Sequence, residues 1–183
     1  MIGIVIGAVV VFLIVVYVIA TYNGLINLRN KVNDQWSQID VELKRRFDLI
    51  PNLVNTVKGY AKHEQETLDN VIKARNTYLS AGTRDAQMDA DSALTGAISK
   101  LFALAESYPE LKANENFKDL QASLKDTEDK ISFARKFYND TALQLNNKVE
   151  MFPSSIVAKL FHFNKVEFFK ANETERENVK VEF

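Results

Sequence analysis

The chain has 183 residues with 23 basic and 24 acidic side chains, a net charge of −1, no cysteine and two histidines. That balance excludes the global basic field of a nucleic-acid binder. The missing thiols exclude disulfides, iron–sulfur clusters, thiol nucleophiles and a lipidated N-terminal Cys, and His63 and His162 stand too far apart in sequence to promise a multi-histidine metal site. Six glycines and three prolines argue against an all-β chain with many turns, and the helical spacings that follow make the expected fold all-α.

In chain order, the first element is a membrane segment, residues 1–21. From Ile2 to Ala20 there is no charge, and fourteen of the nineteen side chains are Ile, Val, Leu or Phe. At about 1.5 Å per residue the stretch spans roughly 28 Å as a helix, close to the hydrocarbon thickness of a bilayer. A cleaved signal peptide competes with an uncleaved anchor, since Val18-Ile19-Ala20 is a tolerable cleavage sequence. The missing basic n-region and the length of the run favour the anchor. Arg29 and Lys31 on the C-terminal flank favour a single-pass membrane protein with its soluble part in the cytoplasm, the outer side being the alternative.

From Tyr22 the pattern turns amphipathic. Leu25, Leu28, Val32, Trp36, Ile39, Leu43 and Phe47 step by three and four, predicting a helix over 22–47 that continues the membrane helix as one rod. A second helix is expected over 50–80, with Asp48 before its first turn as an N-cap, Pro51 inside that turn, and Gly82 as a left-handed cap beyond its end. A third is expected over 86–108, stopped by Pro109. The fourth and longest is expected over 114–150: Phe117, Leu120, Leu124, Thr127, Ile131, Ala134, Tyr138, Thr141 and Leu145 repeat with coiled-coil-like spacing. Together residues 22–152 read as an antiparallel up-down-up-down four-helix bundle. In that topology the fourth helix returns to the bilayer. It delivers a segment, 153–170, rich in aromatics and lysines: Phe161, Phe163, Phe168 and Phe169 with Lys159 and Lys165. Two readings stay open for these side chains, an interfacial position on lipid and a cap on the open end of the bundle. The tail, 171–183, is acidic, and its alternating Val179, Val181 and Phe183 suit strand addition to a partner as well as simple fraying.

Several long stretches now resemble the bacterial LemA family: YNGLINLRNKVNDQWSQIDVELKRRFDLIPNLVNTVKGYAKHEQETLDNVIKARN from Tyr22, YPELKANENFKDLQASLKDTEDKISFARKFYND from Tyr108, FPSSIVAKLFHFNKVEFFKA, and the closing NVKVEF. The resemblance implies a short N-terminal membrane segment followed by a long antiparallel helical bundle, with the soluble domain in the cytoplasm. It leaves the biochemical role open.

No nucleophile–base pair, phosphate loop, His-Glu-x-x-His or Glu-x-x-His pattern occurs, so a catalytic role, a cofactor and a metal are not expected. The remaining polar candidates are Arg45, Arg46, Asp48 and Asn52 at the first corner, Arg75 on the second helix, and Glu128, Arg135 and Asn139 on the fourth. A ligand or partner site is one reading; an interhelical polar network that fixes register is the simpler one. Gly3 and Gly7 form a small-xxx-small pair suited to self-association in the membrane. The expected partners are therefore the lipid bilayer, further copies of the chain and unidentified proteins, with no nucleic acid. The function expected is a non-enzymatic, membrane-anchored scaffold or self-assembling interaction protein; the alternative is a regulatory adaptor for a membrane protease or envelope-stress system.

Overall fold

The computed structural model describes residues 1–169, so the acidic tail and its strand-addition reading lie outside the described residues. Among those residues the fold is helical and holds no strand: α1 (Ile2–Tyr60), α2 (Gln65–Ser80), α3 (Arg84–Ala105), α4 (Pro109–Ala113), α5 (Glu115–Glu150) and α6 (Ser154–Leu160). The apolar N-terminal stretch runs into the amphipathic stripe as one unbroken helix, and Gly24 does not interrupt it.

Burial divides α1 sharply. Its most apolar eighteen-residue window has a mean hydropathy of 3.2 and is wholly unburied. Thr21 and Leu25 are then covered, and from Leu25 to Phe47 every stripe residue except half-buried Leu28 is buried. An apolar helix left bare before a packed amphipathic stretch makes the first part a candidate membrane span by length and composition.

Two compact units share the two long helices. The first comprises residues 1–39 and 134–168. Its core is Leu25, Val32, Trp36 and Ile39 from α1, Tyr138, Ala142 and Leu145 from α5, and Val157, Ala158 and Phe163 from the C-terminal segment. The second holds 40–133, with the distal part of α1, all of α2, α3 and α4, and the first half of α5. There Phe47 stacks on Tyr78 with ring centroids 4.2 Å apart, so α1 and α2 form a helical hairpin about the turn at 61–64.

The helix boundary expected at 47–50 does not exist. Pro51 lies inside α1, which ends only at Tyr60. A proline interior to a helix removes the N–H that would bond the carbonyl four residues back, here that of Phe47. Arg75 of α2 supplies the replacement: its Nε donates to the Phe47 carbonyl at 3.1 Å. The orphaned acceptor is thus satisfied across the hairpin. Asp48 accordingly sits exposed within a helix and is not an N-cap.

Gly82 is not a left-handed cap either, because no glycine has a positive φ; α2 ends on extended Ala81 (φ −70°). The caps that do form use side chains. Thr83 accepts from the Ala86 N–H at 3.2 Å, opening α3. Asn114 accepts from the Phe117 N–H at 3.0 Å, opening α5, and donates to the Tyr60 hydroxyl at 2.9 Å. Pro109 does not end α3, which stops at Ala105; it occupies the first turn of α4, where its missing N–H is harmless.

Candidate functional site

Within the second unit, the polar residues predicted at the first corner divide by burial. Arg46 is 3 % exposed and bonds three partners: Asp91 Oδ1 at 3.1 Å, Glu128 Oε2 at 2.9 Å and Thr95 Oγ1 at 3.0 Å. Asp91 is 1 % exposed. The guanidinium fork suits this task, because it offers several donors in one plane to carboxylates from two other helices. Such a buried ionic cluster fixes which helix faces meet. A recess of about 250 Å³ opens beside Arg46, with Phe102 and Leu124 among its apolar walls.

Arg45, one residue on, reaches Asp126 at 3.6 Å, with both side chains about half exposed. Lys130 and then Arg45 hold the Asp126 carboxyl below its ordinary range. That small contribution is present at neutral pH and fades as acidification protonates Asp126. Asn52 is exposed, and its carbonyl accepts the Thr56 hydroxyl at 2.9 Å. Arg75 makes the carbonyl bond described above. Tyr78 is 4 % exposed; burial, then the carboxylates of Asp40 and Asp91, push its phenol well above the usual range.

Glu128 therefore belongs to the Arg46 cluster of the second unit, while Arg135 and Asn139 belong to the first unit, half-buried and one turn apart on α5. Sequence reasoning missed Asp91 and Thr95, which complete the cluster. A signal existed: Asp91, Leu94, Ile98 and Leu101 keep one helical register, and an Asp on the apolar face of a helix requires a buried cation.

In the first unit the C-terminal segment folds back on α5. Asn146, 6 % exposed, uses both ends of its amide on one residue: Nδ2 donates to the Val166 carbonyl at 2.9 Å, and Oδ1 accepts the Val166 N–H at 2.9 Å. Tyr138 donates its hydroxyl to the Glu167 carbonyl at 3.1 Å. Lys165 pairs with Glu150 at 2.7 Å, which raises the lysine's pKa. The strap so held carries Phe161 and Phe163 onto Tyr22, with ring centroids 4.7 and 5.9 Å away. The Arg29 guanidinium lies 5.4 Å from the Phe163 ring centre.

The aromatic set predicted for the membrane interface is thereby split. Phe163 and Phe169 are buried in the protein, 9 % and 8 % exposed; Phe161 and Phe168 remain exposed, as do Lys159 and Lys165. Gly3 and Gly7 lie on the bare part of α1, with nothing within 4 Å of where a Cβ would stand. Among the described residues no group of three or more His, Asp or Glu is placed to hold a metal ion.

Comparison with known proteins finds relatives by sequence. The sequence profile of the LemA family matches residues 35–183. The chain is 26 % identical to the protein LemA of Metamycoplasma hominis, over 86 % of this chain and 72 % of that one. It is 24 % identical to the magnetosome protein MamQ of Magnetospirillum gryphiswaldense, over 81 % of this chain and 64 % of the relative. A similar likeness, at 23 %, extends to the magnetosome protein MamQ 2 of Paramagnetospirillum magneticum. The chain thus spans slightly less than two thirds of the MamQ proteins' length.

Proposed function

The chain belongs to the LemA family, and from that premise we propose that it is a non-enzymatic, membrane-anchored helical scaffold, whose packed body meets partners or further copies of itself at a set distance from the bilayer. The observation that carries this reading is the division of α1: an unburied apolar stretch that runs without a break into a packed helix. An anchor joined to its body by a continuous helix transmits position, which a flexible linker cannot do. Within the first unit, from Ala20 to Ile39, the helix rises about 28 Å.

The hairpin of α1 and α2 and the return of α5 alongside α1 support an up-down-up-down arrangement of the body. The relatives named as LemA and as magnetosome proteins support a membrane-associated role. Arg29 and Lys31 flanking the apolar stretch favour a cytoplasmic body beneath a bacterial inner membrane.

Cross-linking in intact membranes, followed by gentle extraction and mass determination, tests the scaffold. Assemblies of two or more chains, or captured partners, are expected. A monomer alone, or a chain released by washing the membrane with carbonate, overturns the reading.

A further inference from the structure

The turn after α5, together with α6, leaves five large apolar side chains uncovered: Met151, Phe152, Ile156, Leu160 and Phe161, at 61, 80, 60, 65 and 44 % exposure. Ser154, Val157 and Ala158 of α6 are buried against the protein. Ile156 and Leu160, four apart, share the opposite face. Isolated exposed apolar residues need no explanation, but five close together in eleven residues of sequence mark a surface that something covers.

Position says what covers it. Tyr22 is two residues beyond the end of the apolar stretch, and Phe161 and Phe163 pack on it. Helix arithmetic within the same unit agrees. Trp36 stands about 24 Å along α1 from Ala20. It meets Tyr138 of α5 with ring centroids 5.7 Å apart. From Tyr138, α5 descends to Met151, about 20 Å back toward Ala20. The uncovered face thus arrives within a few ångströms of the level where the apolar stretch ends. Lys159 on α6 and Arg29 against Phe163 stand at the same end of the unit, where lipid phosphates would meet them.

We propose that the face formed by Met151, Phe152, Ile156, Leu160 and Phe161 is seated in the interfacial layer of the bilayer, so that α6 is a second, monotopic membrane contact beside the spanning helix. This rests on the membrane-anchor reading above and extends it from one point of attachment to two. A single spanning helix leaves the body free to tilt and to spin about its axis; a second contact to one side removes both freedoms. The buried Phe163 and the Asn146–Val166 bonds fix the seat to the body, so the orientation of α6 in lipid becomes the orientation of the whole first unit.

Because the chain has no cysteine, single-cysteine variants of the full chain report depth directly. Phe12→Cys, Phe137→Cys, Phe152→Cys, Ile156→Cys and Leu160→Cys would each be spin-labelled and reconstituted in phosphatidylethanolamine–phosphatidylglycerol vesicles. The readout is accessibility to oxygen against accessibility to a water-soluble nickel chelate. Labels at Phe152, Ile156 and Leu160 are expected at shallow depth, with an oxygen-to-nickel ratio several-fold above that at Phe137, an exposed apolar residue at the level of Trp36. Phe12 is expected deepest. If Ile156 and Leu160 match Phe137 while Phe12 stays deep, the anchor stands and the second contact is overturned. Shielding of both labels from both reagents, with spin–spin broadening, would mean that a second copy covers the face, and would also overturn it. If Phe12 itself is open to nickel, the anchor reading fails and takes this one with it.

Discussion

Pro51 and Arg75 make one device. The proline strips Phe47 of its helical donor, and a guanidinium from the next helix takes the vacated place at 3.1 Å. Arg75→Met, which keeps the apolar stem, is expected to lower stability by about 1–3 kcal/mol, the value of a partly buried charge-assisted bond together with the acceptor it leaves unmet. Pro51→Ala restores an N–H at the right register, so Arg75→Met in that background is expected to lose well under half as much. Equilibrium unfolding of the four proteins in mild detergent gives the coupling directly; equal losses in both backgrounds refute the pairing. Arg46 makes a harsher case. Arg46→Met takes the Arg46 guanidinium away from Asp91, 1 % exposed, and is expected to destabilise by about 3–5 kcal/mol. Adding Asp91→Leu removes the stranded charge and is expected to return most of that loss, read as recovered melting temperature. A double variant no better than the single one shows that the geometry of Arg46, and not its charge balance with Asp91, carries the effect.

At the scale of elements, the sequence was most legible where periodicity alone decides. The apolar N-terminal stretch, its continuation into the Leu25–Phe47 stripe and the inward seam of α5 from Phe117 to Leu145 follow from spacing; of the residues named in the two stripes, Leu28, Leu120, Ala134 and Thr141 are half-buried and the rest are buried. The corner at Pro51 was misread because a local rule was weighed without its tertiary remedy. Yet Phe47, Ile50, Val54, Val57 and Ala61 keep the same phase across the proline, and a true corner would have broken it. The polar partners were less legible. Which carboxylates meet Arg46 depends on helices meeting in space, and sequence spacing along one helix cannot supply that. The aromatic strap was half legible: composition marked it, but only the fold separates Phe163, turned inward, from Phe161, left outside. Asn146 decides that separation by bonding both backbone groups of Val166. Asn146→Leu is expected to release the strap while α5 stays folded. With two bonds of about 1 kcal/mol each removed, amide exchange at Val166 should quicken by about 30-fold. Hydrogen–deuterium exchange followed peptide by peptide checks this; unchanged protection of 161–168 would mean that the Tyr138–Glu167 bond, the Lys165–Glu150 pair and the aromatic contacts hold the strap without Asn146.

For the molecule as a whole, self-association and folding need to be separable, and the two glycines of the apolar stretch allow it. Gly3 and Gly7 stand one turn apart on α1, and among the described residues nothing lies within 4 Å of where a Cβ would stand at either. A Cβ there meets none of the described residues, so Gly3→Leu with Gly7→Leu is expected to leave helicity and melting temperature unchanged or, by replacing glycines inside a helix, slightly raised. Close helix–helix approach in lipid is another matter, because backbone contact requires small residues on the facing side. If copies pair through this edge of α1, the double variant extracts as a smaller species and loses cross-links between labels at Ile6→Cys, while cross-links made through the soluble body persist. If mass and cross-linking are both unchanged, the glycines play no part in assembly, and any oligomer is held by the helical body alone. Intermediate mass with retained body cross-links would assign the assembly to both surfaces, with the membrane edge closing what the body begins.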